Sequence, residues 1–131
     1  MAEDPRANPA PLRDVPRLVA EGAQRYNAHD FWHAHETWEQ AWHSLRAHRL
    51  QEQADLVQAL VWVTAAFENQ RRGKPAGARR QLTKALPRLR AHAPHAAALG
   101  VEELARFTEA VERALEQVPH AAPPPLVTRA R

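Results

Sequence analysis

Apolar residues recur at three- and four-residue steps along most of the chain, and the rhythm breaks at a few Gly, Pro, Asn and Asp positions. Leu18, Val19, Gly22 and Tyr26 predict a first helix over about 15–27, with Gly22 bare enough to let another helix approach closely. The break Asn27-Ala28-His29-Asp30 follows. Asp30 is placed to cap a second helix starting at Phe31, its carboxylate accepting from the free N–H groups of the first turn. Phe31, Ala34, Trp38, Ala41, Trp42 and Leu45 form the stripe of that helix, which is expected to run to about Leu50. A third helix over about 53–71 is apolar around nearly its whole circumference in LVQALVWVTAAF, so it is expected at the centre of the fold. Gly73 stops it, and Pro75 suits the first turn of a fourth helix carrying Ala78, Leu82, Ala85, Leu86 and Leu89. Pro87 falls inside this pattern and is expected to kink or shorten it. A loop or single turn over 94–100 leads to a fifth helix over about 101–118, marked by Leu104, Phe107, Val111, Leu115 and Val118. The expected fold is all-α, a compact bundle of about five helices around a central hydrophobic helix. Residues 1–11 and 119–131 are Pro-rich and read as a flexible arm and a flexible tail around one helical domain, 12–118.

Composition narrows the classes. Cysteine is absent from the 131 residues, which excludes disulfides, thiolate nucleophiles and cysteine-held zinc or iron–sulfur centres. No apolar run reaches the roughly 18 residues that span a bilayer, and the acidic, Pro-rich start is not a signal peptide, so a cytoplasmic location and no membrane partner are expected. Charge is uneven. Residues 1–68 carry ten acidic and six basic side chains, whereas residues 69–101 carry eight basic ones and no acid. That basic block, with Arg79, Arg80 and Lys84 at its centre, invites phosphate or nucleic acid. It lacks aromatic residues to stack bases and a Gly-rich phosphate loop, so nucleic acid is not the expected partner. A solvated face, or one docked on the acidic first half of the fold, is the simpler account.

The chemistry concentrates in YNAHDFWHAHETWEQAWH, residues 26–43. On a helix at about 100° per residue, His35, Glu36, Glu39 and His43 line one edge of the aromatic stripe, beside Trp42. His35, Glu39 and His43 form an i, i+4, i+8 ladder whose neighbours touch. His33 points away and is expected to be solvated. The plainest reading is structural, with His35 largely buried at the core edge and hydrogen-bonded to Glu39 or to a neighbouring helix. The second is a divalent metal cofactor held by His35 and Glu39, and the third is general acid/base work by the same pair. Gln58, the strongly polar side chain inside the third helix, needs either a partner such as the His35–Glu39 edge or an exposed seam. An interaction module is favoured over an enzyme. Four tryptophans in a small helical protein can cover an exposed patch, and a homo-oligomer is one expected form.

These residues resemble the bacterial and plastid domain-of-unknown-function family 309. Tyr26-Asn27 stands at that family's aromatic–Asn pair, and Ala34, His35, Glu36, Glu39 and Trp42 fit its Ala-His-Glu-x-x-Glu-x-x-Trp helix. Gln58, Leu60 and Val61 fit the following helix, and Gly73, Gly77 and Ala78 the turn after it, so the likeness spans roughly residues 15–90. Ala59 and Trp62 depart from the family's Gly and Gln, and Glu68 and Asn69 stand where histidines are common. The resemblance implies a small all-helical fold and no established activity.

Overall fold

The computed structural model describes residues 8–129; positions 1–7, where most of the expected N-terminal arm lies, and positions 130 and 131 fall outside the described residues. Five α-helices follow one another: α1 (Val15–Asn27), α2 (Phe31–Ala47), α3 (Gln51–Arg71), α4 (Pro75–Ala91) and α5 (Leu104–Gln117). Short 3₁₀ turns precede α1 and fill the α4–α5 connection. Two two-residue strands, β1 (Val101–Glu102) and β2 (Val127–Thr128), pair antiparallel with Val101 opposite Thr128. The all-α expectation holds. The ribbon, the shorter end of α2 and the later start of α5 differ from the sequence reading.

The three connections among α1 to α4 share one build. His29, Arg49 and Gly73 take positive φ (63°, 61° and 74°) just past each helix end. The next N–H then bonds back five residues, Asp30 to Arg25, Leu50 to Leu45 and Lys74 to Asn69, at 2.8–2.9 Å. Such Schellman turns consume the free carbonyls of a helix end and reverse the chain within three residues. The sequence marks the first break by Asn27–Asp30 and the third by Gly73, but the left-handed turn at Arg49 carries no such signal, because Arg rarely adopts this conformation.

Short reversals make α1 to α4 antiparallel neighbours. α3 lies between α2 and α4, α1 packs on α2, and α5 on α4. Trp38 is fully buried, and its indole N–H donates to the Val19 carbonyl at 3.0 Å. It sits over Gly22, where an added Cβ would fall 2.2 Å from Nε1, so Gly22 provides the close approach expected of it. Tyr26 meets Phe31, Trp38, Phe67 and Phe107 at ring separations of 5.8–6.3 Å, tying α1, α2, α3 and α5 together.

Several expectations are corrected. Asp30 stands at the N-cap of α2 but makes no capping hydrogen bond, because its carboxylate turns to His33 Nδ1 at 2.8 and 2.9 Å. α4 runs through Pro87 without interruption. Pro87 and Thr83, whose carbonyl the ring leaves unpaired, are both exposed, so solvent takes over that bond. The tail expected to be flexible is docked over residues 119–129. Asn27 exchanges two hydrogen bonds with the Leu126 backbone, Gln70 two with Ala121, and Tyr26 Oη donates to Pro124 O at 2.7 Å. Ala121 and Leu126 are buried. Prolines lack N–H donors, so side-chain amides satisfy the backbone at Ala121 and Leu126, and the ribbon with β1 takes over at Val127 and Thr128. At the other end, Ala10 of the expected arm packs on the core and accepts from Ser44 Oγ.

Candidate functional site

One edge of α2 carries the residues singled out above. Trp32, His35, Glu36, Glu39, Trp42, His43 and Arg46 follow at three- and four-residue steps and form a ridge along the helix. Trp32 is 55% exposed, the most exposed large apolar residue among those described, and its ring lies parallel to His35 at 6.3 Å. Glu36 is exposed and Glu39 half-buried. The His35 side chain is one-third exposed, with Nδ1 3.6 Å from Glu39 Oε1. That distance is an ion-pair contact, too long for a hydrogen bond. The expectation of an enclosed, hydrogen-bonded His35 is therefore corrected: the wheel placed it at the boundary of the stripe, and no neighbouring helix covers that boundary fully. His33 is exposed as expected, and its hydrogen bond holds the Asp30 carboxyl below the usual aspartate range.

Further along the ridge, the Arg46 guanidinium lies 4.9 Å from the Trp42 ring centre, and His43 meets the same ring edge-on at 4.7 Å. Trp42, His43, Arg46 and Ala47 line a shallow recess of about 440 Å³. The Trp42 indole N–H is enclosed and makes no hydrogen bond within the described residues.

Gln58 does not join this edge. Its Oε1 accepts from Arg88 Nη1 at 3.0 Å, and the same nitrogen donates to Asp55 at 3.1 Å. The basic segment is largely committed within the fold. Arg71 and Arg72 pair with Glu68, Arg90 with Glu112, and Arg79 donates to the Val118 carbonyl. Lys84 and Arg88 lie over the Trp62 ring at 4.4 and 4.7 Å. Arg80, Lys84 and Arg88, four residues apart, form a basic ridge on α4 in which Arg80 and Lys84 remain exposed.

The arrangement around His35 coincides with a shared sequence pattern: residues 19–81 match the family described as Domain of unknown function (DUF309). The match covers 63 of the 131 residues, so the DUF309 likeness belongs to the segment 19–81. The DUF309 match takes in most of α1, all of α2 and α3, and the start of α4, which includes both the α2 ridge and Trp62. The matched segment includes Tyr26 and Asn27, which strap down the segment around Pro124 and Leu126. No curated protein and no solved structure matches the chain. Among the described residues no helix is long and apolar enough to cross a membrane.

Three residues that sequence reasoning passed over also come together. Glu52, His92 and His95 place one ligand atom each within 4.8 Å of one another, beyond the α2 ridge and across the α3–α4 boundary. The His-x-x-His spacing was visible, but Glu52 stands forty positions upstream and only the fold unites it with them.

Proposed function

We propose that this chain is a non-catalytic interaction module that pairs with a second copy of itself, the α2 ridge of one copy meeting the basic α4 ridge of the other. The observation that carries this reading is Trp32, 55% exposed and stacked on His35 beside two carboxylates. A large exposed aromatic rimmed by charge is the usual make-up of an interface anchor. Charge complementarity chooses the occupant. Glu36 and Glu39 on α2 face outward, and Arg80 and Lys84 supply the opposite sign on α4. A two-fold axis uses that contact twice and closes a dimer.

The second reading places a metal ion or acid/base chemistry on His35 and Glu39, and their 3.6 Å separation supports it. Two ligands fall short of the three protein ligands of a catalytic zinc site. A nucleic-acid role through Arg79, Arg80 and Lys84 has less support, since Arg79 is engaged with Val118 and the basic segment holds no aromatic residue to stack bases. Light scattering across a wide concentration range tests the proposal. The expected mass rises from 14.8 kDa towards a dimer, and Trp32→Ala holds it at one chain. A constant single-chain mass for the wild type would overturn the reading.

A further inference from the structure

We infer that Glu52, His92 and His95 form a binding site for a divalent transition metal of the zinc class, which clamps the start of α3 to the end of α4. The site is independent of the α2 ridge, and His92 and His95 lie outside the segment matched to DUF309. Its residues are held by backbone that the fold fixes. His92 is the C-cap of α4, with its N–H bonded to Arg88 O. Pro94 sits in the 3₁₀ turn Ala93–His95, and His95 N–H bonds back to His92 O. One tight turn therefore presents two imidazoles together. Glu52 lies in the first turn of α3, which runs antiparallel beside α4 and so brings its carboxylate to the same end.

The distances suit a metal that binds after small side-chain rotations. His95 Nε2 is 3.0 Å from Glu52 Oε2, and the three ligand atoms span at most 4.8 Å. Tetrahedral zinc, with bonds of roughly 2.0–2.1 Å, places its ligand atoms about 3.3 Å apart. Two imidazoles and one carboxylate select zinc, cobalt, nickel or copper over magnesium and calcium, which take oxygen ligands. Three protein ligands leave one position for solvent.

The surroundings favour a cation. Asp55 turns Oδ2 to His92 Nε2 at 3.6 Å, while its Oδ1 is occupied by Gln51 and Arg88. That fixes a second carboxylate beside the site. The partial negative charge at the α4 C-terminus is offset by the partial positive charge at the α3 N-terminus, so the carboxylates of Glu52 and Asp55 carry the attraction. Without a metal, the His95–Glu52 pair, with Glu52 70% exposed, is worth little.

The test is equilibrium dialysis of the untagged full chain against Zn²⁺, followed by metal analysis and thermal unfolding with and without chelator. The wild type is expected to hold one Zn²⁺ per chain and to melt later with zinc than with chelator. His92→Ala/His95→Ala is expected to lose both the ion and the shift. Glu52→Gln alters one exposed side chain and keeps the fold, and it is expected to weaken binding by roughly tenfold or more. His35→Ala/Glu39→Gln is expected to bind zinc as the wild type does. Absence of bound zinc in the wild type, or retention of one ion by the folded His92/His95 and Glu52 variants, would overturn the assignment. Loss of the ion in the His35/Glu39 variant alone would place the site on α2 and overturn it equally.

Discussion

Replacing Gly22 by alanine tests the packing that orients the whole α2 ridge. The new Cβ would stand 2.2 Å from Trp38 Nε1 and 2.3 Å from Cδ1. Ordinary contact needs about 3.5–4.0 Å, so the indole or the helix must move by more than an ångström. Trp38 is fully buried against Tyr26, with ring centres 5.8 Å apart, so it has nowhere to go without disturbing the aromatic cluster. Any shift also breaks the 3.0 Å bond to Val19 O and strands a buried donor and acceptor. Overpacking costs about 1–3 kcal/mol. The lost hydrogen bond adds about 1–3 kcal/mol. Helix propensity returns about 1 kcal/mol, because alanine suits a helix better than glycine. The net is a loss of about 3 kcal/mol, or a fall of about 10 °C in Tm for a domain of this size. Urea unfolding followed by tryptophan fluorescence should show a lower midpoint with an unchanged slope. A Gly22→Ala midpoint at or above the wild type would refute the reasoning, because propensity would then outweigh the clash.

Arg49 is exposed with φ at 61°, so Arg49→Gly should relieve left-handed strain and raise stability by about 0.5–1 kcal/mol, measured by the same unfolding curves; a loss of stability would count against it. Asn27→Ala should free the segment around Leu126 by removing two hydrogen bonds, seen as faster exchange of the Leu126 amide at a cost of about 1–3 kcal/mol; unchanged protection would contradict the strap. Asp30 should titrate below ordinary aspartate because His33 favours its charged form, and His33→Ala should return it upward in a carboxyl-detected NMR titration. The sign follows from linkage: a lowered folded pKa gives stability that is present above the usual aspartate range and lost as pH falls through the folded value.

The helices were legible because burial repeats with the helical period. Leu18, Val19 and Tyr26 mark a face whatever packs on it, and the third helix shows instead as a long run apolar nearly all round. Partners across the fold were not. The apolar run around Gln58 calls for either a partner such as the His35–Glu39 edge or an exposed seam, and it does not name Arg88, which meets Gln58 because α4 flanks α3 on that side. Pro-rich composition imitates disorder, and nothing local to residues 119–129 reveals that Gln70 and Asn27, about fifty and a hundred positions away, hold that backbone. His35 shows how far a wheel reaches. It fixed the neighbour Glu39 correctly, whereas the depth of burial depended on which helix lay opposite.

Paired charge reversal tests the proposed self-recognition most directly. Glu36→Lys/Glu39→Lys makes the α2 ridge basic, and Arg80→Glu/Lys84→Glu makes the α4 ridge acidic, all four positions being solvent-accessible. Each variant alone should run as a single chain in light scattering, because like charges then face each other. An equimolar mixture should regain the dimer mass, with the gain weakening as salt rises. A mixture that stays at one chain, or variants that associate as the wild type does, would contradict pairing of the α2 and α4 ridges.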